Sequence, residues 1–265
     1  MVFCSEFSAF TSSFSVGGSQ RSDPPKWYQG NMNRRAANLI CLGALLAVIT
    51  HAAVPGELEK LRNAQDRAAL DARAAALHAE AEKAPADAAK WHRAAIAYSY
   101  AAEVAYELRD KRGSQRAAEA GVRDAEKAIS INPKVADYYR VLGTLCGQVI
   151  PANPIMGGLA YGKKAKEALD KAIELDPKSA PAHVAHGVGY FYLPANFGGG
   201  PDNAIKDYKR AIALDPNNAD AYLWMGIALA KQHQNKPARD AFAKALQLEP
   251  GRLWARQQLE KTPAE

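Results

Sequence analysis

Cysteine is scarce in this sequence, and its scarcity narrows the chemistry that the chain can perform. The 265 residues include three cysteines, Cys4, Cys41 and Cys146, and the first two lie in an N-terminal segment that we expect to be removed. Because Cys146 is then alone, an intramolecular disulfide and a cysteine metal cluster are both excluded. No Ser/His/Asp or Cys/His arrangement and no paired-carboxylate signature stands out. We therefore predict a protein that is not an enzyme and that needs no cofactor.

Aromatic and strand-forming patterns are also sparse. Aromatic residues make up 8% of the chain, and much of its 48% hydrophobic content is alanine. Few segments show the β-branched alternation that is typical of strands, so the composition favours an all-α fold. Removing residues 1–53 lowers the net charge from +6 to 30 − 26 = +4. This mild excess lacks a lysine and arginine stripe, which argues against a nucleic-acid partner.

The N-terminus has the features of a secretory signal. Asn33 and two arginines follow Met32, then an apolar run covers 36–50, and small residues follow it at 52 and 53. We interpret 32–53 as a signal peptide and 1–31 as a non-native or disordered extension, with translation starting at Met32. The protein would be exported, to the periplasm or beyond, without stable membrane insertion after cleavage. An uncleaved membrane anchor is the alternative, although the run is shorter than the roughly 20 residues that a spanning helix needs.

Four similar segments show that the chain is repetitive. AEKAISINP, LDKAIELDP, YKRAIALDP and FAKALQLEP end at Pro133, Pro177, Pro216 and Pro250. The last interval is 34 residues, and the residues before Pro250 resemble the tetratricopeptide repeat (TPR) family at Tyr222, Met225, Gly226, Leu229, Ala238, Phe242 and Ala245. The resemblance implies an α-solenoid of about four helix pairs over 86–250. A long N-terminal helix at 54–85 and a capping helix within 251–265 would frame it.

The longer intervals indicate where the array departs from a plain repeat. The 48 residues between Pro85 and Pro133 predict two long helices, whereas intervals of 44 and 39 predict insertions within the next two pairs. These insertions, GQVIPANPIMGGLAYG and LPANFGGGPD, should emerge on one edge of the solenoid. The first contains GGLAYGKK, which differs from the phosphate-loop motif GxxxxGK[ST] only at Lys164. No predicted strand precedes it, although a phosphate loop follows a strand. We expect Gly157 and Gly158 to turn the chain there, and Lys163 and Lys164 to open the next helix.

Two histidines three residues apart, His183 and His186, have a spacing that suits two metal ligands. No third ligand stands nearby except His233 or Asp202, and both histidines fall at positions where repeats pack. We therefore predict packing rather than metal binding. Cys146 likewise falls at a core position, where an inert buried thiol is expected.

The inner face of the solenoid is the predicted binding surface, because the first helix of each pair lines it. TPR proteins that grip acidic chaperone tails use lysine and asparagine there, and this chain departs from that pattern. We predict an apolar groove that binds a protein or peptide, with partner-binding residues Arg140, Thr144, Val184, Val188, Phe191, Tyr192, Leu223, Trp224 and Ile227. The N-terminal helix could instead fill this groove, and a homo-oligomer is left open.

An alternative function belongs to a different class. FGGGPDNAIKDYKRAIALDP resembles, over about twenty residues, the periplasmic TPR components of some solute transporters. That resemblance implies a periplasmic accessory that binds a small ligand. An enclosed, ligand-sized cavity would support it, whereas an open or helix-filled groove would support a protein partner.

Overall fold

The computed structural model describes residues 56–264, and the predicted extension and signal peptide lie outside them. The described residues form eleven α-helices and no strand, which confirms the all-α fold. The helices are α1 Glu57–Asn63, α2 Arg67–Glu82, α3 Ala88–Glu107, α4 Lys111–Ile131, α5 Ala136–Val149, α6 Pro154–Leu175, α7 Ala180–Tyr192, α8 Pro201–Leu214, α9 Ala219–Lys231, α10 Asn235–Leu248 and α11 Leu253–Lys261. Short 3₁₀ helices lie at Ile150–Ala152 and Ala195–Phe197.

Four helix pairs make up the array: α3 with α4, α5 with α6, α7 with α8, and α9 with α10. One glycine in each of the last three pairs allows its two helices to approach closely. A Cβ atom on Gly143, Gly187 or Gly226 would lie 2.6, 2.6 or 2.5 Å from the side chain of Leu169, Tyr208 or Phe242, respectively. These contacts confirm the predicted repeat register, in which a small residue faces a large one.

The two ends of the array are covered as solenoid ends require. At the C-terminal end, Trp254 of α11 is buried against the cluster that contains Leu223 and Phe242, which confirms the capping helix. At the N-terminal end, α2 packs on α3 through its buried Leu70, Ala74 and Leu77.

The N-terminal segment differs from the single long helix that we expected, because it divides into α1 and α2. Gln65 adopts a left-handed backbone conformation, φ 54°, which ends the first helix. Asp66 then caps the second, its carboxylate accepting a hydrogen bond from Ala69 N at 3.1 Å. Before this break, α1 packs on α3, the first helix of the array.

The expectation for GGLAYGKK is wrong, since residues 157–164 lie inside α6. That helix begins at Pro154, and the Asn153 side chain caps it by accepting from Met156 N at 3.2 Å. The interval of 44 residues exceeds a 34-residue repeat by ten, and most of these ten residues lengthen α6 instead of forming a loop. The second insertion does turn the chain, because Gly198 and Gly200 have φ values of +82° and +114°.

None of the helices between residues 56 and 264 is both long enough and apolar enough to cross a bilayer.

Candidate functional site

The short helix α1 lies against the first helix of the array. Leu58 is buried in the core cluster shared with α3 and α4. The Tyr100 hydroxyl of α3 donates to Glu59 at 3.4 Å, and the Arg62 guanidinium lies 5.0 Å above the Tyr100 ring. The chain thus places its own N-terminal helix on the surface where a partner peptide was predicted.

Arg62 joins this helix to the last pair of the array. Its guanidinium donates to Asp220 of α9 at 2.8 Å and to Glu249, at the end of α10, at 3.2 Å. Burial alone would raise the pKa of the Asp220 carboxyl, but Arg62 and Arg252 hold it below its ordinary value. Arg62 is buried, so these ion pairs are largely shielded from solvent.

Arg252, in the turn before α11, binds back to the first helix of the array. Its guanidinium donates to Glu103 at 2.6 Å and also to Glu107, both on α3. Gln257 donates to Gln65 at 3.0 Å beside this pair of contacts. Burial raises the pKa of Glu103 to about 7, although Arg252 and Arg62 oppose that rise. Side chains therefore close the array by joining its last helix to its first.

A cleft opens beside this closure. Its volume is about 370 Å³, and it is lined by Tyr106, Glu107, Arg109, Lys111, Tyr192, Ile227, Trp254, Gln258 and Lys261. Aromatic rings form a continuous edge-to-face series along it. Tyr106 and Tyr192 lie 6.4 Å apart, Tyr192 and Trp224 6.3 Å, and Trp224 and Trp254 5.3 Å between ring centroids. Three of these rings, Tyr106, Tyr192 and Trp254, line the cleft itself and come from three different helices, and Trp224 links the last two from behind.

The predicted partner-binding residues separate into groups. Tyr192 and Ile227 line the cleft, with Phe191 and Trp224 in ring contact behind Tyr192. Val184 and Val188 pack with Trp224 in a second cluster, and Leu223 is buried beside Trp254. On α5, Arg140 pairs with Asp137, and Thr144 donates to the Arg140 carbonyl at 3.0 Å. Their role in partner binding remains a prediction.

The inner face is also more polar than the predicted groove. Besides the predicted Arg140 and Thr144, it carries Arg62 and Arg252 with their carboxylate partners, whereas the rest of the groove was expected to be apolar.

Exposed apolar side chains concentrate in the segments of the two insertions. Six large apolar residues are exposed among residues 56–264, and four of them form what we call the insertion edge: Ile155, Met156, Leu159 and Phe197. Leu159 and Ile155 are 77% and 76% exposed. Exposed apolar side chains that occur together are typical of an interaction surface, whereas single scattered ones are common on any protein.

The histidines and the remaining cysteine are held within the protein. The His186 Nδ1 and Asp207 Oδ2 atoms lie 2.8 Å apart, and His183 Nε2 lies 3.1 Å from the Pro177 carbonyl oxygen. Cys146 is buried, and burial raises the pKa of its thiol to about 12. No group of three or more metal-ligating side chains occurs between residues 56 and 264.

Sequence reasoning missed seven of the nine residues that line the cleft, since only Tyr192 and Ile227 were predicted. Tyr106, Arg109 and Lys111 come from the first pair, whereas Trp254 and Lys261 come from the capping helix. These residues come together only because the array closes, and no local sequence motif predicts that closure. One signal was available: arginines at 62 and 252 fall beside apolar positions, where a buried charge requires a distant partner.

Two family profiles match two consecutive segments of the chain. The family profile described as regulator of microtubule dynamics protein 1-3 matches residues 57–196, more than half of the 265-residue chain. The chain belongs to this family. A TPR repeat profile matches residues 201–233, within the third and fourth pairs. The regulator of microtubule dynamics match begins at α1, so the inserted helix is part of what the family profile describes.

Two relatives with curated names are similar to part of this chain. A peroxisomal targeting signal receptor of Candida albicans is 36% identical over 139 residues, which are 51% of this chain and 19% of that protein. The small glutamine-rich tetratricopeptide repeat-containing protein 2 of Mycosarcoma maydis is 35% identical over 98 residues, 37% of this chain and 26% of that protein. The match thus spans only a minor part of either relative's length. The second of these relatives is named as a TPR-containing protein, which agrees with the TPR profile match.

Solved structures support the fold. A thermophilic TPR protein of Thermus thermophilus has a TM-score of 0.53 at 19% identity, covering 86% of this chain and 95% of that one. The HusA haemophore of Porphyromonas gingivalis has a TM-score of 0.50 at 19% identity, covering 67% of this chain and 96% of that one. At such identities the similarity speaks for the helical array alone.

Proposed function

We propose that this protein is an exported TPR scaffold that binds a protein partner through its insertion edge. The observation that carries the proposal is the exposure of Ile155, Met156, Leu159 and Phe197, while the inner face is occupied by α1. Burying such side chains against a partner removes apolar surface from water, at about 25 cal/mol per Å². The alignment of the array with a peroxisomal targeting signal receptor also favours a protein partner.

The inner face is a secondary surface in this proposal. A peptide could reach Tyr192 and Ile227 at the cleft while α1 stays bound, but it would have to displace Arg62 to lie along α9. Displacing a buried guanidinium from two carboxylates is costly, since the carboxylates would be left without partners. The insertion edge requires no such rearrangement, because its side chains already face solvent.

Site-specific photocrosslinking tests the proposal. A photoreactive amino acid would replace Leu159 or Phe197 in the full-length chain, with the exposed Lys127 of α4 as the matched control position. We expect the two edge positions to give the same crosslinked partner and position 127 to give none. Crosslinks of equal yield at all three positions, or at position 127 alone, would refute the insertion edge as the docking surface.

A second variant pair measures what the edge contributes. Ile155→Ser combined with Leu159→Ser should reduce recovery of the crosslinked partner at least severalfold, because two apolar anchors are lost. Leu108→Ser removes one exposed apolar side chain elsewhere, 50% exposed, and should leave recovery unchanged. Unchanged recovery with the double variant would contradict the proposal, provided that its thermal unfolding matches the parent.

Export is the second part of the proposal, and the N-terminal residue of the mature protein tests it. A protein that begins between residues 51 and 54 would support signal cleavage at the small residues of THAAV. A mature protein that retains residues 36–50 would favour the membrane-anchored alternative. A precursor peptide from upstream of Met32 would contradict the proposed start.

A further inference from the structure

The cleft beside the closed ends of the array has the make-up of a ligand site. Its walls are the rings of Tyr106, Tyr192 and Trp254, with Ile227 as a further apolar contact. Trp254 is buried, whereas Tyr192 is half exposed, so the aromatic surface runs from the core to the cleft mouth. A volume of about 370 Å³ lies within the range of small-molecule pockets, roughly 300 to 1,000 Å³.

The charge of the lining is strongly one-sided. Arg109, Lys111 and Lys261 line the cleft, all are exposed, and none of the three forms an ion pair with another described residue. The lining includes one carboxylate, Glu107, which accepts from Arg252 and, at 2.8 Å, from Gln65. The negative charge of Glu107 is therefore already compensated, and the three cations have no counter-charge within the cleft.

We propose that this cleft binds a small organic anion that carries an aromatic ring. The ring would stack against the lining rings of Tyr106, Tyr192 and Trp254, and the anionic group would lie among the three cations. Neither half of the site suffices, because exposed cations bind a bare anion weakly and the walls alone do not select for charge. This inference does not depend on the insertion edge, which belongs to α6 and the second insertion.

The position of the cleft gives such a ligand a structural effect. Besides Tyr192 and Ile227, its lining comes from α3 and the start of α4 and from α11, and Arg252 joins α3 to the start of α11. A molecule bound there would contact both ends of the array and hence bind the closed form in preference to an opened one. By mass action, it would raise the stability of the closed array.

Isothermal titration calorimetry with 1-naphthalenesulfonate tests the proposal on the intact chain. We expect one site per chain, and an affinity about tenfold lower for the double variant Lys111→Gln/Lys261→Gln, which removes two of the three cations. The control Lys127→Gln/Lys134→Gln makes the same change of charge at two exposed positions outside the cleft and should bind like the parent. Leu159→Ser should also bind like the parent, which excludes binding at the insertion edge.

Two further probes separate the contribution of the ring from that of the charge, and a third tests an anionic lipid surface. 1-Naphthalenemethanol keeps the ring without the charge, methanesulfonate keeps the charge without the ring, and both should bind much more weakly than 1-naphthalenesulfonate. Vesicles containing phosphatidylglycerol test whether an anionic lipid surface is the true ligand. The proposal is overturned if the sulfonate does not bind, if both lysine double variants bind it equally, if the uncharged probe binds as tightly, or if vesicles compete it away.

Discussion

The interior of the closed array and its insertion edge reverse the usual distribution of side chains. Inside, Arg62 and Arg252 are buried and form ion pairs with carboxylates, most of which keep part of their surface exposed. Outside, Leu159 and Phe197 are exposed to water. Buried charges rarely add net stability over a well-packed apolar core, but they are strongly destabilising when one partner is lost. The interior thus specifies one closed arrangement, whereas the exposed edge suits a surface that a partner covers.

Removing Arg252, which closes the array, should lower the free energy of unfolding more than any other change considered. Arg252→Met leaves the carboxylates of Glu103 and Glu107 buried without their main partner, so the free energy of unfolding should fall by about 3 to 5 kcal/mol. Denaturant unfolding followed by circular dichroism measures it. The control, Arg256→Met, removes an exposed arginine that donates to the Pro250 carbonyl at 3.1 Å, and should change stability by less than about 1 kcal/mol. Equal effects of the two would break the contrast.

The pH dependence of stability should reveal Glu103. Because burial raises the pKa of this carboxyl to about 7, the folded state holds its proton more tightly than the unfolded state does. Its contribution to stability is present below about pH 4.5 and is lost as the pH rises to about 7. The stability of the parent relative to Glu103→Gln should therefore fall over this interval, by up to about 3 kcal/mol. Parallel curves for the two proteins would show that Glu103 titrates normally.

Two adjacent glycines in α6 test the helix beneath the insertion edge. Gly158 has open space around it, so Gly158→Ala should stabilise the protein by about 0.5 to 1 kcal/mol through helix propensity. A Cβ on Gly157 would lie 2.9 Å from the Ile150 Cα, so Gly157→Ala should destabilise it by about 1 to 3 kcal/mol. Thermal unfolding of both variants gives the comparison. If Gly158→Ala also destabilises, residues 157–164 are not the continuous helix described.

The edge itself should show the smallest effect on folding. Leu159→Ser removes a side chain that is 77% exposed, and the free energy of unfolding should change by no more than about 0.5 kcal/mol. The variant should nevertheless bind less of an uncharged apolar dye such as Nile red than the parent does. A large loss of stability would mean that Leu159 packs within the chain, which would remove the contrast with the interior.

The repeat architecture was predictable because its signals are local. Each pair carries its small and large residues within one repeat register, and the 48-residue interval before Pro133 correctly indicated the long helices α3 and α4. The site was less predictable. Glu107 and Arg252 are 145 residues apart, and Arg62 and Glu249 are 187 apart, so no local pattern relates them.

Two local patterns also misled the prediction. Gly157 and Gly158 suggested a turn, yet the Asn153 cap and Pro154 start a helix before them. Conversely, the chain turns at Gln65 without the glycine that usually marks a left-handed position. In both places the neighbouring capping residue, Asn153 or Asp66, was the better indicator of where a helix begins.

The contact between Arg252 and α3 has a consequence for how the protein unfolds. In an open solenoid each repeat touches only its neighbours, so the terminal repeats can fray while the middle stays folded. Here the terminal elements hold one another across Glu103 and Glu107. Amide hydrogens of α3 and α11 should therefore exchange with solvent in a single cooperative event. Although it is built from repeats, the array would then unfold cooperatively as a single unit.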